Sequence, residues 1–528
     1  MEQLSIADNR RYSATQSKRR GAFLECLCYG FLLPLGFAPF HFPGLAILGL
    51  ALFYHRLSGR HPYSPFLSGL AFGLGFFGLG VSWLYISIHD YGHLNSIVSG
   101  LVTLLFILYL ALFPALTAVL FSRLKTQSCT ISSALLFSVL WTLTEFARST
   151  FLTGFPWLLI GFGQFDSPGK FLLPIIGTFG LSLASCFAAA LLSNSMADRS
   201  TKRYLALLSF LGIIMLPSLL SNIKWSEMQN KAVTIGVIQA NLSMRDKWDE
   251  NLFWQLLARY QDETEKLLGT DLIVMPESAI PLPPNYLTDY LASMDLQARQ
   301  AGSAILIGIP QPTTLDESNY YNSMISLGKA KGAYSKQHLV PFGEYVPSLL
   351  QRLFTWLEIP DANMQPGKTS QPAIRVHKHP IASLICYELA YGNLLRAQLP
   401  EAEWIVSISD DGWFGHSLAL YQQLQIAQVL SLETARYQVV SNNDGLSSLI
   451  DTQGQVVDSL PAFSSGLLKA KLYPAHGTTP WIRFGDWPVL IFCLFIAAFF
   501  LIKKLLIAKE GQQTLAAKHK RSYPYQLD

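Results

Sequence analysis

The sequence predicts a membrane α-helical bundle joined to an extracytoplasmic α/β domain. Hydrophobic residues make up 50% of the 528 residues and charged residues only 14%, a composition too apolar for an ordinary soluble protein. The long apolar runs are confined to residues 1 to about 222 and about 484–508, whereas the interval between them reads as a globular sequence. We therefore expect a membrane domain with seven transmembrane helices at 1–222, a globular domain at 223–484, and a last transmembrane helix with a cytoplasmic tail at 485–528.

About eight transmembrane helices follow from the length of the apolar runs and from the exclusion of charges. They are expected roughly at 21–38, 43–55, 65–88, 96–121, 130–147, 171–193, 204–221 and 485–503. The second is the shortest, as expected of a tilted or partly re-entrant segment. The first is not expected to be a removable signal peptide, because no small-residue cleavage site follows it and further spans come directly after.

Lysine and arginine residues predict the orientation, because they concentrate on the cytoplasmic side of a membrane. With eight spans, the main basic clusters all fall on one side: Lys18, Arg19, Arg20, Arg56, Arg60, Arg123, Lys125, Arg199, Lys202, Arg203, Lys503 and Lys504. The other loops are poor in cations, with Arg148 and Lys170 as the exceptions. The globular domain, between the seventh and eighth spans, is therefore expected outside the cytoplasm.

The composition also narrows the classes of partner. A net charge of +4, with no basic run flanked by aromatic residues, does not indicate a nucleic-acid surface. The globular domain carries no HxxxH or CxxC pattern, glycine-rich phosphate loop or nucleotide fingerprint. We therefore expect no metal, no soluble cofactor and no nucleic-acid partner.

One cysteine of the six is separated from the others. Cys386 is the only thiol of the globular domain, whereas the rest lie in or beside predicted spans: Cys26, Cys28, Cys129, Cys186 and Cys493. An oxidising compartment favours paired cysteines, so a single one suggests a free thiol with a chemical use. An inert buried thiol is the alternative.

Strands alternate with helical patterns across the globular domain, and several strands are apolar throughout. "AVTIGVIQA" (232–240), "TDLIVMPESAIP" (270–281) and "IASLICYE" (381–388) are examples. This alternation predicts a sheet covered by helices, with functional residues at the ends of strands.

Three reactive groups lie at such positions. Glu277 follows one buried strand, Cys386 follows another, and Lys336 lies in a loop after a third. A cysteine nucleophile needs a base, which Glu277 supplies, and a nearby ammonium stabilises both a thiolate and an oxyanion. A Cys–His pair with His338 or His416 ranks lower, because neither histidine is at a strand end.

Several motifs resemble a known family. "PES" (276–278), "KQHLVPFGEYVP" (336–347) and "CYE" (386–388) are similar to the Glu–Lys–Cys constellation of the nitrilase superfamily. Together with the predicted spans, four further motifs resemble the apolipoprotein N-acyltransferase family: "GFAPFHFPGLAILGL" (36–50), "GLGVSWLYISIHDYG" (78–92), "LTGFPWLLIGFGQ" (152–164) and "DGWFGHSLALYQQLQIAQVLSLETARY" (411–437). The resemblance covers roughly residues 20 to 503. Asp410 departs from the family pattern, in which Asn is expected, and Gly412 replaces a small Ala.

The resemblance implies a nitrilase-like αββα sandwich, a position in the bacterial inner membrane with the catalytic domain facing the periplasm, and a monomer. It implies transfer of an acyl chain from a phospholipid to the N-terminal amine of a diacylglyceryl-cysteine lipoprotein through a cysteine thioester. Glu277, Lys336 and Cys386 are then catalytic. Supporting residues are expected to be Glu344, Tyr387, Glu388 and Arg436, and candidates for contact with substrate or for a lid are Trp248, Phe342 and Trp413.

Three other functions compete with this interpretation. A membrane-anchored amidase or nitrilase would use the same three residues on a small amide. A transporter with a binding domain would carry ionisable residues deep in the spans, where only Glu25 and Glu145 occur, both near predicted ends. An inactive scaffold is disfavoured because all three reactive groups are present. The apolar segment at 348–360 is typical of a lid or of a core helix.

Overall fold

The computed structural model describes residues 20–59, 64–92, 94–125, 130–197, 200–247, 249–313, 319–346 and 364–521. The regular elements described in the N-terminal part are helices. Its helices are 20–31 (α1), Pro43–Ser58 (α2), Pro65–Gly80 (α3), Leu84–Ile86 (α4), Ser96–Leu124 (α5), Ile131–Thr150 (α6), Leu173–Ala197 (α7) and Lys202–Met215 (α8).

Close backbone contact holds α3 against α5. Gly69 and Gly73 lie one turn apart on α3, and a Cβ atom at either position would lie within 2.6 Å of the backbone of Ala115 or Ala111. Small residues four apart let two helices pack this closely in a membrane, where the hydrophobic effect does not drive helices together. The sequence of α3 thus fixes which neighbour it packs against.

Four helical segments of the described chain are long and apolar enough to cross a membrane. They are Ser96–Leu124, Pro168–Ala197, Lys202–Leu220 and Trp487–Thr514, and the pair Pro65–Gly80 and Leu84–Tyr91, bent by 65°, is a fifth if it is taken as one span. These five match predicted spans. The spans predicted at 21–38, 43–55 and 130–147 fall on α1, α2 and α6, which are shorter or less apolar, and they stay predictions.

The helices that follow belong to the globular domain and the C-terminal end. They are Met244–Lys247 (α9), Phe253–Glu265 (α10), Thr288–Ala301 (α11), Gly392–Arg396 (α12), Ala419–Thr434 (α13), Pro480–Phe484 (α14) and Trp487–Arg521 (α15). The last is one helix of 35 residues, so the helix continues well beyond the predicted end of the span at 503.

Two large sheets form the centre of the globular domain. The strands are Glu227–Met228 (β1), Val233–Gln239 (β2), Leu272–Val274 (β3), Ala304–Pro312 (β4), Tyr320–Gly328 (β5), Ala330–Lys331 (β6), Ala333–Ser335 (β7), Ile374–Val376 (β8), His379–Ile385 (β9), Trp404–Ser409 (β10), Gln438–Asn442 (β11), Ser448–Ile450 (β12), Val456–Ser459 (β13), Gly466–Leu472 (β14) and Ala475–His476 (β15). One sheet has the order β14-β2-β3-β4-β5-β7, and the other has the order β13-β12-β11-β10-β9-β8-β6.

The layers follow from what each sheet face buries. Apolar residues of both sheets, such as Val237 and Val406, form one core between them. The outer face of the six-stranded sheet packs against α10 and α11, and the outer face of the seven-stranded sheet packs against α12 and α13. The predicted α/β domain is confirmed, and its four layers agree with the sandwich that the resemblance implied. The central strands β2–β3–β4 and β9–β10–β11 are parallel, so their carboxyl ends lie together.

Helix α13 is shared between the globular domain and the membrane helices. Thirteen of its 16 residues are buried, because one face covers the sheet and the other meets the helical bundle. Gln422 accepts hydrogen bonds from the indole N–H groups of Trp83 (3.2 Å) and Trp157 (2.6 Å), and donates one to the Gly80 carbonyl (3.1 Å). The two tryptophans are buried against this helix.

Candidate active site

Glu277 follows β3 at the carboxyl edge of the six-stranded sheet and is 6% exposed. Its Oε1 accepts hydrogen bonds from Asn322 Nδ2 (2.6 Å) and Lys336 Nζ (3.3 Å), and its Oε2 accepts one from the backbone N–H of Asp410 (3.1 Å). Three donors from three different segments therefore fix the direction of this carboxylate.

Lys336 lies directly after β7, and its ammonium group is almost completely buried between two carboxylates. Nζ is 2.8 Å from Oε1 of Glu344 and 3.3 Å from Oε1 of Glu277. Burial alone would lower the pKa of Lys336, but the charges of Glu277, Glu344 and the Cys386 thiolate raise it well above its usual value. The site thus retains a cation at neutral pH.

Asn322 completes this cluster and was not found from the sequence. It lies on β5, is 4% exposed, and donates from Nδ2 to both Glu277 (2.6 Å) and Glu344 (3.0 Å). A buried side-chain amide in a strand must be paired, but its partners come from other segments and cannot be read from the local pattern. Glu344 also accepts a hydrogen bond from the Val340 N–H (2.7 Å), which closes the loop around Lys336.

Cys386 follows β9 directly and is the first residue of the 3-10 turn Cys386–Ala390. Its φ of +53° is in the left-handed region, which a non-glycine residue enters at a cost and which is common at functional turns. Its side chain is half-buried. The pKa of the thiol is raised well above its usual value by burial and by the charge of Glu277, against the opposing effects of Lys336 and of a hydrogen bond with Ser409.

Glu277 and Lys336 are hydrogen-bonded to each other, and the charges of both act on the Cys386 thiol. Because the thiol is held in its neutral form, it needs a base to become a nucleophile. Glu277 is the neighbouring carboxylate that can take the proton, and Lys336 is the cation that can stabilise the negative charge formed in the reaction.

Glu388 binds the loop that carries Lys336 to the turn that carries Cys386. It is fully buried, and its carboxylate accepts hydrogen bonds from the N–H groups of Gln337 (2.6 Å), His338 (3.2 Å) and Ile385 (2.9 Å), and from the hydroxyl of Tyr334 (3.0 Å). Burial raises the pKa of Glu388 to about 7, although the backbone hydrogen bonds oppose this shift.

We expect the substitution Glu388→Gln to destabilise the protein more at pH 5 than at pH 7.5. The carboxyl has a pKa of about 7 when folded and 4.5 as its ordinary value, so the folded state binds more protons between these limits. The stability from this shift is complete below pH 4.5 and is lost as the pH rises through 7. Thermal unfolding midpoints of both proteins at the two pH values test this.

The exposed Glu401 provides the control for that experiment. Glu401→Gln is expected to change the midpoint equally little at both pH values. A penalty for Glu388→Gln that grows as the pH rises would contradict the role given to Glu388.

Two tyrosines connect the Cys386 turn to the membrane part of the chain. The hydroxyls of Tyr387 and Tyr391 donate to the Gly154 carbonyl at 3.3 and 3.0 Å. The neighbouring Phe151 and Leu152 are 58% and 65% exposed. An exposed apolar surface thus lies one loop away from the nucleophile.

The two histidines considered for a Cys–His pair are held elsewhere. The ring of His338 lies 3.7 Å from that of Tyr391, and the ring of His416 stacks at 3.7 Å on Phe463. Burial and the charge of Lys336 lower the pKa of His338 to about 4, so it is neutral at physiological pH. Neither ring makes a described hydrogen bond to Cys386.

The remaining candidates have different positions. Arg436 is fully buried, but its guanidinium donates to the carbonyls of Ala402, Thr434, Ala435 and Gly477, so its described bonds fix the end of α13 and do not reach the cluster. Phe342 and Trp413 are 57% and 43% exposed. Trp413 packs edge-on against Tyr91, with ring centres 5.6 Å apart. Trp248 and the segment 348–360 lie outside the described residues.

Two protein families match the chain. Residues 29–191 match the family described as apolipoprotein N-acyltransferase N-terminal domain, and residues 234–479 match the family described as carbon-nitrogen hydrolase. The Glu–Lys–Cys cluster lies within the second match.

Curated relatives match nearly the whole length. Proteins named apolipoprotein N-acyltransferase from Pseudomonas syringae pv. tomato (35% identical, covering 91% of this chain and 96% of the relative), Azotobacter vinelandii (37%, 91% and 95%) and Coxiella burnetii (34%, 90% and 99%) are similar to it. Among solved structures, the C. elegans NitFhit protein covers 50% of this chain and 65% of its own, at 15% identity and a TM-score of 0.34. A carbon-nitrogen hydrolase from Helicobacter pylori covers 49% of this chain and 94% of its own, at 12% identity and a TM-score of 0.34.

Proposed function

The chain belongs to the apolipoprotein N-acyltransferase family, and from that premise we propose that it moves an acyl chain from a phospholipid to the N-terminal amine of a diacylated lipoprotein. The observation that carries the proposal is the buried Lys336, held between Glu277 and Glu344, next to a half-buried thiol that is neutral at rest. This arrangement suits acyl transfer in two steps, with one carboxylate moving the proton in each.

In the first step Glu277 accepts the thiol proton of Cys386 while the sulfur attacks the ester carbonyl of the phospholipid. Lys336 stabilises the oxyanion that forms. The carbon–oxygen bond of the ester then breaks, and the proton on Glu277 passes to the departing alkoxide. A lysophospholipid and a cysteine thioester result.

In the second step the acceptor amine attacks the thioester and gives a proton to Glu277. The carbon–sulfur bond breaks, and the same proton returns to the sulfur. The product is an amide, and the free thiol is restored. Splitting the transfer in this way gives ping-pong kinetics.

The same proposal includes the arrangement in the membrane. We place eight spans in the bacterial inner membrane, with the domain at 223–484 facing the periplasm, between a seven-helix domain at 1–222 and the last helix at 485–528, in a monomer. Exposed apolar side chains along α8 and α15, including Leu208 (66%) and Phe495 (71%), support contact with lipid. A reporter fused after residue 528 would be cytoplasmic with eight spans, so alkaline phosphatase there should be inactive.

The activity is tested with purified full-length protein, a phospholipid labelled in one acyl chain, and a synthetic diacylglyceryl-cysteine lipopeptide. We expect labelled triacylated peptide and parallel lines in double-reciprocal plots at several donor concentrations. Hydrolysis of small amides with no acyl transfer to the lipopeptide would instead identify a membrane-anchored amidase and overturn the proposal.

A further inference from the structure

A second buried ion pair lies on the other side of Glu277 and has no role in the reaction described so far. Lys247 ends the short helix α9, and Asp410 follows β10. Their side chains are 1% and 4% exposed, and the ammonium group of Lys247 donates to Oδ2 of Asp410. A buried pair is costly to desolvate and gives little net stability, so its presence calls for a further explanation.

The pair contacts both the main chain and the side chain of Glu277. Lys247 Nζ donates to the carbonyl oxygen of Glu277 (3.0 Å), and the backbone N–H of Asp410 donates to the Glu277 carboxylate (3.1 Å). One residue of the pair therefore holds the backbone of the base, and the other holds the carboxylate oxygen that Lys336 does not bind.

Asn443 attaches the same pair to the loop before α9. Its Nδ2 donates to Asp410 Oδ1 (3.2 Å) and to the Leu242 carbonyl (2.8 Å), and its Oδ1 accepts from the Leu242 N–H (3.1 Å). Asp410 Oδ1 also accepts from the Gly412 N–H (3.3 Å). The ends of β3, β10 and β11 and the loop after β2 are thus joined through one carboxylate.

The charges of Lys247 and Asp410 also act on two neighbouring carboxylates. These are Asp411 and Asp444. Burial is the main cause that raises their pKa values, to about 7 and about 8, and the charges of neighbouring carboxylates raise them further. The charge of Lys247 opposes the shift at Asp444. Asp411 in turn acts on the Cys386 thiol. The charge of Asp410 thus reaches the nucleophile through Asp411.

We propose that Lys247 and Asp410 are positioning residues, which hold Glu277 in place and, by cancelling each other's charge, set the pH at which Cys386 is activated. The inference rests on the proposed function only in taking Glu277 and Cys386 as base and nucleophile. Neither residue of the pair needs to touch a substrate.

The test compares Lys247→Met, Asp410→Asn and the double variant with the unmodified full-length protein. The rate of alkylation of Cys386 by iodoacetamide is followed across pH by peptide mass spectrometry, which needs no lipid substrate. Lys247→Met leaves an uncompensated negative charge, so the midpoint of alkylation should rise by about one pH unit, whereas Asp410→Asn leaves a positive charge and should lower it by a similar amount. The double variant should return close to the original midpoint.

A second measurement uses acyl transfer itself. Lys247→Met should lower kcat about 10-fold to 100-fold with a KM for phospholipid within about threefold, because it removes the hydrogen bond to the Glu277 carbonyl and changes only the orientation of the base. Asp410→Asn keeps the backbone N–H that binds the Glu277 carboxylate, so its loss of kcat should be smaller. Lys247→Arg, which keeps the charge, should restore the alkylation midpoint. If Lys247→Met fails to fold, the proposal is tested by the alkylation midpoint of Asp410→Asn and by the return of that midpoint in the double variant.

The partly buried ion pair between Arg259 and Glu263 on α10 supplies the control, and Arg259→Met should leave the midpoint unchanged. The proposal is overturned if both single variants shift the midpoint in the same direction, if neither shifts it, or if the double variant is shifted further than both. An absence of acyl transfer together with the opposite alkylation shifts would overturn the proposed function and leave this inference standing.

Discussion

Replacing Cys386 with alanine is expected to abolish acyl transfer, with a loss of at least about 10⁴-fold in kcat. The loss should be this large because both steps pass through the sulfur, and the variant offers no other nucleophile at the turn. Radiolabelled acyl groups that remain bound to protein and are released by neutral hydroxylamine measure the thioester. We expect them in the unmodified protein when the acceptor is withheld, and none in Cys386→Ala.

Cys28→Ala is the matched control, because Cys28 is exposed and lies on α1, away from the cluster. It should keep full activity and the thioester signal. Cys386→Ala protein that still acylates the lipopeptide would refute the assignment of the nucleophile. The unfolding midpoint of Cys386→Ala should fall only slightly, since the substitution removes a single half-buried sulfur atom.

Lys336→Met is expected both to destabilise the protein by about 3–5 kcal/mol and to abolish transfer. Oε1 of Glu277 and Oε1 of Glu344 both contact Lys336 Nζ and both accept a hydrogen bond from Asn322 Nδ2. Without the ammonium group, the two carboxylates therefore lie close together with no cation between them. Activity is lost because the oxyanion has no positive charge to stabilise it. Chemical unfolding and the transfer assay measure the two effects.

A double variant separates these two consequences. Lys336→Met with Glu344→Gln removes one of the two opposed carboxylates, so we expect most of the stability to return while transfer stays absent. If the double variant recovers activity along with stability, Lys336 has a structural role only. If Lys336→Met is as stable as the unmodified protein, the charge balance described for the cluster is wrong.

The sequence was sufficient to find the groups that are proposed to carry out the chemistry. Glu277 and Cys386 end apolar strands, and Lys336 and Glu344 lie eight residues apart in one loop, so local pattern and resemblance together pointed to them. In the structure Lys336 is hydrogen-bonded to Glu277 and Glu344, and the charges of Glu277 and Lys336 act on the Cys386 thiol. Their catalytic roles stay predictions until the variants are measured.

The residues that hold this cluster in place were harder to find. Asn322 sits inside a strand, and Lys247 ends a four-residue helix, and both act through partners that are distant in the chain. No periodicity marks such contacts. Arg436 was expected to support the site; its described bonds go to carbonyl groups around the end of α13, and the supporting role stays a prediction.

The position of α13 limits which substitutions the globular domain and the helical bundle can accept independently of each other. One face of this helix packs on the sheet beneath it, and the other forms hydrogen bonds with Trp83, Trp157 and Thr178 of the helical bundle. A substitution on this helix that suits a new catalytic domain can therefore disturb the bundle, and the reverse also holds. The two halves are not independent modules, and exchange between relatives would have to carry α13 together with the membrane segments that bind it.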